Sequence, residues 1–450
     1  VYKINHIYDN LIIATMERRT ECTKSELDLF TVPPVNTAME RATTVNFLPV
    51  ATIMDDSPIE FHINSSSEEY IDLGKTYLFL KVQIVNKDGT PLAPDAKVAP
   101  VNLFMHSLFS QVNIHLRDTL ITPSANTYPY KAYFESLLSY GQDAKETQLT
   151  SELWFMDEKN MDDHDPYSTV NDYIHNKGMV SRSKYISKSK TLEMMGRLHA
   201  DIFHQDRYLL NGVDMHIKLI RSAPTFHLIA DNDSYVTKIK EAMLFVRKVK
   251  VNPAIAITHS KMLDQGKFVK YPMRRGVVSS FTISQNSLSF TKENVISGQL
   301  PRRILIAFCR NSSYNGFIKR NPFNFEHFNL SYLSLSAGSQ IYPSQPLKPN
   351  FNEKQYLQAY MTLFDGMGIL NCDTGHCIQR DHFENGYAIY VFDLTPDQCD
   401  GEYVDNIKFG NIRLEAHFAA QLPCTINAVI YSEYDNLLQI DRARNIVTDF

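Results

Sequence analysis

Apolar and polar residues alternate with a period of two at many separate places in this chain, and that pattern limits the fold more than any other feature. In Ile412-Arg413-Leu414-Glu415-Ala416-His417-Phe418 the alternation is clean. Ile59, Phe61 and Ile63 alternate with Glu60 and His62, and Tyr77 to Val85 forms another strand-like run before the turn residues Asn86-Lys87-Asp88-Gly89. Successive side chains of a strand point to opposite faces, so each run reads as a half-buried strand. Many short strands with few helices imply sheets packed face to face as antiparallel sandwiches.

Further strands are expected at Val112–Leu116, Thr191–Ile202, Val213–Arg221 and Lys238–Val251. A helix is expected over Tyr130–Tyr140, with Tyr133, Phe134, Leu137 and Leu138 on one face and Gly141 as its stop. Asn252-Pro253 breaks the strand pattern, and Ala254–Leu263 reads as a short connecting helix ending at Gly266. A second strand-rich half follows, with Val277–Ile283, Arg303–Cys309, Gln340–Tyr342, Tyr387–Leu394, Ile412–Ala420 and Ile426–Ser432. No residue-level repeat links the two halves.

The expected organisation is therefore an N-terminal arm at 1–40, a first sandwich at 41–251, a linker helix at 252–266 and a second sandwich at 267–450. Within the arm, Ile4, Ile7, Tyr8, Leu11 and Ile12 fall at helical spacing ahead of Arg18 and Arg19. A start at Met16 would leave the first fifteen residues upstream of the protein. Residues 142–190 read as a long polar excursion from the first half, and 310–349 as its counterpart in the second.

A chain of 450 residues suits two domains of about 200 residues each. The net charge of -5 removes any chain-wide attraction to nucleic acid, so no sequence-specific nucleic-acid partner is expected. Phe 26 and Tyr 24 against a single Trp favour pleated, half-buried strands. The six cysteines are sparse, which favours reduced thiols. No apolar run approaches the ~18–20 residues a membrane-spanning helix needs, and whether a membrane partner exists is left open.

The motifs of catalysis are missing from the sequence. There is no phosphate-cradling loop, and Gly366-Met367-Gly368 lacks the third glycine of a dinucleotide fingerprint. There is no Gly-x-Ser-x-Gly elbow and no His-Glu-x-x-His. Cys372, His376 and Cys377, with His382 and Cys399 downstream, are the best zinc candidates, but adjacent His and Cys rarely reach one ion. The acidic run 157–165 could attract calcium, and the basic run 182–190 could touch DNA. Solvated loops account for both more simply. No catalytic, cofactor-binding or metal-binding residue is assigned, and the chain is read as a structural or binding protein rather than an enzyme.

Several segments in order resemble Polinton (Maverick) major capsid proteins, the family that includes those of adintoviruses. They are Glu21 to Pro34, Asp56-Ser57-Pro58-Ile59-Glu60-Phe61, Glu69-Tyr70-Ile71-Asp72-Leu73, Gly196 to Phe203 and Leu210-Asn211-Gly212-Val213-Asp214. In the second half they are Gly298 to Arg303, Asn321-Pro322-Phe323-Asn324-Phe325 and Phe392 to Asp397. The resemblance implies an all-β-dominated double jelly roll: two antiparallel eight-stranded β-sandwiches with a few short helices. It further implies homotrimeric, pseudo-hexagonal capsomers that tile an icosahedral shell around double-stranded DNA. A minor penton-type capsid protein would be a partner, and the protein would be made inside the host cell. Trp154, Phe155, Phe317, Phe323 and Phe325 are the candidate interface anchors, because aromatic side chains dominate such contacts; each also reads as ordinary core.

Two other readings stand beside this one. A host could retain the same fold for a binding role without building a shell. A two-domain carbohydrate-active sandwich would need a carboxylate pair ~5–10 Å apart in an aromatic-lined cleft, and one Trp offers little for sugar stacking.

Overall fold

Alternation in the sequence becomes alternation in burial. From Leu78 to Ile84 the even-numbered side chains are buried and the odd-numbered ones are not, and Met215, Ile217 and Leu219 repeat the pattern. The computed structural model describes residues 27, 29, 32, 35–54, 57–168, 174–338, 340–396 and 406–449. The helical face expected at Ile4–Ile12, Arg18, Arg19, Cys22 and Cys399 lie outside the described residues.

In the first half the strands are β1 Met39–Phe47, β2 Ile59–Ile63, β3 Glu69–Asn86, β4 Val98–Pro100 and β5 Phe109–Leu116. They continue as β6 Thr119–Leu120, β7 Leu192–Gly196, β8 Met215–Arg221, β9 Leu228–Ala230 and β10 Tyr235–Val251. One sheet runs β1-β10-β3-β7 and the other β2-β8-β5-β6, with β4 and β9 as a separate pair. The second half holds β11 Val269–Ile283, β12 Ser289–Gln299, β13 Arg303–Arg310, β14 Leu330–Ala337 and β15 Gln340–Leu347. After them come β16 Ile389–Asp393, β17 Phe409–Phe418, β18 Ile426–Ile440 and β19 Ile446–Thr448. Its sheets run β11-β18-β13-β16, with β19 added on β18, and β12-β17-β14-β15.

Among the described residues, with the accessory strands β4, β9 and β19 set aside, each half contributes eight strands in two four-stranded sheets. Counted in chain order, the first sheet of either half runs 1-8-3-6 and the second 2-7-4-5. This is one antiparallel jelly roll built twice, as expected. The strands that start and end the main sheet of the second lobe are long: β11 and β18 stay in unbroken register from Val269 opposite Ile440 to Ile283 opposite Ile426.

Between the lobes lies a helix, Pro253–Asp264. Asn252 caps it by accepting a hydrogen bond from the Ala254 N–H, and Pro253 occupies the first turn, where its missing donor costs nothing. Gly266, at φ +79°, ends the segment in a conformation that side-chain-bearing residues avoid.

Several segments depart from expectation. The strand expected over Thr191–Ile202 stops at Gly196, and Asp201–His204 is a single 3-10 turn. The stretch 310–349 carries β14 and β15. The 142–190 segment is not a solvated loop: Leu149, Leu153, Trp154, Met161, Met179 and Ile186 are all buried, and Lys177–Ile186 is a helix.

Candidate functional site

The first lobe meets the second along the helix Tyr128–Ser139. Ten of its residues are buried, the pattern of a helix surrounded by protein. On one side Tyr130 stacks on Tyr314, centroids 5.2 Å apart, and Tyr133 lies flat on Phe323. Phe134 stacks on Phe325 at 5.2 Å and touches Tyr431. Such pairs add about 0.5–1.5 kcal/mol each beyond the area they bury. They weld the lobes through one continuous apolar core.

Beneath the aromatic seam runs a buried polar network. Arg182 is fully buried, donating to the carbonyls of Pro100 and Phe155 and, at 2.6 Å, to Asp157 Oδ1. The other Asp157 oxygen accepts from Asn321 Nδ2 at 3.0 Å, and the Asp157 carbonyl accepts from the Tyr387 hydroxyl. Asp162 in turn accepts from Arg320 and from the Asn321 N–H. The acidic and basic runs therefore meet each other. Asp157, Asp163 and Arg182 are interior, while Lys184, Lys188 and Lys190 stay exposed. A solvated-loop reading misplaces the three interior groups because charge alone does not reveal a partner far away in sequence.

An open cleft of about 1640 Å³ lies beside the seam, lined among others by Glu135, His199, His204, Arg303 and Glu433. Arg303 pairs with Glu433 at 3.1 Å. Burial raises the Glu433 carboxyl above its ordinary range even so. Desolvation inside the cleft pushes His204 down to about 4, although the residue keeps exposed surface. Away from the cleft lining, Lys145 donates to the Leu137 carbonyl in the first lobe and the His376 carbonyl in the second. Burial lowers its ammonium to about 8. His376 packs on Phe364 at 4.5 Å, Cys372 is exposed and Cys377 half-buried. Among the described residues, the two groups of three converging metal-type donors do not include any of these three side chains.

The five candidate interface aromatics separate sharply. Trp154 is 1% exposed, and Phe323 and Phe325 are 0% exposed. That corrects their assignment as contacts to a neighbouring subunit: a side chain with no surface in its own chain has none to offer. Phe323 and Phe325 are anchors between the two lobes of one chain, and Trp154 supports them from behind Tyr133, 5.5 Å away. Phe155 is half-buried against Tyr185, and Phe317 keeps 49% of its surface.

No family model matches the chain. An uncharacterized protein of Caenorhabditis elegans is 24% identical over 407 residues, which covers 88% of this chain and 94% of that protein. A chain of the Sputnik virophage superposes with a TM-score of 0.62 over 96% of this chain and 92% of its own, at 13% identity. The Faustovirus major capsid protein gives 0.54 at 10% identity, covering 93% of either chain. The mavirus major capsid protein gives 0.50 at 12% identity, covering 99% of this chain and 97% of its own. The fold is a double jelly roll.

On the outside of this double jelly roll some apolar side chains are exposed at places that the sequence pattern did not mark. Leu48, Val50 and Met54 are exposed in the connection after β1, and Phe409 and Ile407 at the start of β17. Ile257, Met262 and Phe268 are exposed on and just after the helix between the lobes. Alternation tells which residues share a face of a strand, but not which apolar residues in connections stay uncovered.

Proposed function

We propose that this chain is a structural major capsid protein of the Polinton (Maverick) type. One observation carries the reading: the same eight-strand order occurs twice in one chain, and both copies are locked by the aromatic seam into one block. A block of two rigid lobes suits a homotrimer, because three chains supply six lobes and a pseudo-hexagonal outline that tiles a closed shell. In this reading 41–251 and 267–450 are the two jelly-roll domains, 252–266 connects them and 1–40 is an arm. The shell encloses double-stranded DNA without reading its sequence, and a minor penton-type protein fills the vertices.

Subunit contacts in this reading fall on the uncovered apolar side chains, Phe155, Phe317, Ile257, Met262 and Phe268 among them, since obligate interfaces are rich in apolar surface. Negative-stain imaging of the purified full chain tests the proposal. Six-lobed blocks or closed shells support it; a field of separate two-lobed particles contradicts it.

A second reading has an observation of its own. An animal, Caenorhabditis elegans, has a relative of matching length, and the second reading is that a host keeps this capsid fold for binding. On that reading the chain stays a well-folded single block at every concentration.

A further inference from the structure

We propose that the first lobe holds a transition-metal ion of the zinc class between His106, Glu152 and His199. This site is independent of the capsid reading. One donor atom from each of the three lies within 4.8 Å of the other two, and all three side chains are buried. They come from three separate pieces of chain: the short helix Phe104–Ser107, the 3-10 turn Gln148–Glu152 and the segment just after β7. Two imidazoles and a carboxylate form a donor set that suits zinc and cobalt and does not suit calcium or magnesium, which take oxygen ligands.

The surroundings are those of a ligand set held in position. His106 Nδ1 lies 2.8 Å from the Tyr128 hydroxyl, and His106 Nε2 lies 3.3 Å from Glu152 Oε2. When Nδ1–H donates to the Tyr128 oxygen, the Nε2 lone pair is left for an ion. His199 Nδ1 sits 2.7 Å from Glu135 Oε2, a carboxylate that fixes the ring and leaves Nε2 as the ligand atom. The two rings stand edge to face, centroids 4.7 Å apart. The Ser136 hydroxyl, 3.2 Å from His199 Nε2, or a water takes the fourth place.

Gly196 supplies the room. A Cβ there would lie 2.1 Å from Glu152 Oε1, so the missing side chain is what admits the carboxylate. An ion of charge +2 would offset the buried carboxylate of Glu152, while the half-buried Glu135 has the Lys131 ammonium 3.9 Å away. The open cleft reaches Glu135 and His199, so an ion has a route in.

The test uses the full chain, stripped with a chelator and then titrated with cobalt(II) and with zinc. The expected result is one ion per chain, a four-coordinate cobalt absorption band without a thiolate charge-transfer band, and displacement of cobalt by zinc. His199→Asn and Glu152→Gln should remove the band. Glu135→Gln, which touches only the outer shell, should weaken zinc about 10- to 100-fold. The proposal is overturned if the wild-type chain takes up no stoichiometric ion. A thiolate band, which would move the ion to Cys372 and Cys377, also overturns it. So does unchanged binding in a folded His199→Asn, Glu152→Gln or Glu135→Gln chain.

Discussion

Phe323 lies flat on Tyr133, with ring centroids 4.1 Å apart and planes 6° from parallel. Tyr133 belongs to the first jelly roll and Phe323 to the second, so this contact joins the lobes. Phe323→Ala removes a fully buried ring packed among those of Tyr130, Tyr133 and Phe226. The expected cost is about 3–5 kcal/mol. Urea unfolding followed by intrinsic fluorescence should show it, because Trp154 packs against the same Tyr133.

The Arg182–Asp157 pair is interior, with neither side chain exposed. Arg182→Met leaves Asp157 as an uncompensated buried charge, and the expected loss is roughly 3–5 kcal/mol. Replacing both, as Arg182→Met with Asp157→Leu, should recover part of that loss. A double-mutant cycle on denaturant midpoints checks the sign of the coupling.

Gly178 sits where the helix Lys177–Ile186 crosses residues 155–156. A Cβ there would lie 2.4 Å from the Met156 carbonyl oxygen and 2.7 Å from that of Phe155. Both atoms are backbone and cannot swing aside. Gly178→Ala is expected to destabilise by about 1–3 kcal/mol through overpacking, although alanine favours helices. Thermal unfolding reports it.

His227 is buried against the Phe104 ring, and its Nε2 lies 3.0 Å from Thr237 Oγ1. Burial, helped by the Arg221 guanidinium, pushes its imidazole down to about 3. The unfolded chain, with an imidazole near ~6.5, therefore takes up a proton first as the pH falls. This contribution to stability is complete above about pH 6.5 and is lost towards pH 3, at up to ~1.4 kcal/mol per pH unit. His227→Gln should flatten the difference between denaturant midpoints at pH 7 and at mildly acidic pH.

Strands that bury one face were legible because burial imposes the period of two. Ile59–Ile63 falls where alternation put it, and the runs at 77–85 and 412–418 became the C-terminal parts of β3 and β17. Two edge strands, β1 and β12, were not legible. β1 is exposed along nearly its whole length and β12 along most of it, so neither has an apolar face to announce it. The twofold repetition of the jelly roll was also hidden, since a shared strand order needs no shared residues. In the seam, Asp157 and Arg182 read as surface charge because each partner sits 25 positions from the other. Phe323 and Phe325 read equally as interface or core, and only the position of the helix Tyr128–Ser139 decides between those readings.

In the proposed function three of these rigid two-lobed chains form one capsomer. Light scattering on the purified full chain, over a range of concentrations, measures that assembly. The expected mass is near three times 51.7 kDa, or that of larger closed assemblies. A folded species that holds at 51.7 kDa even at high concentration would contradict it.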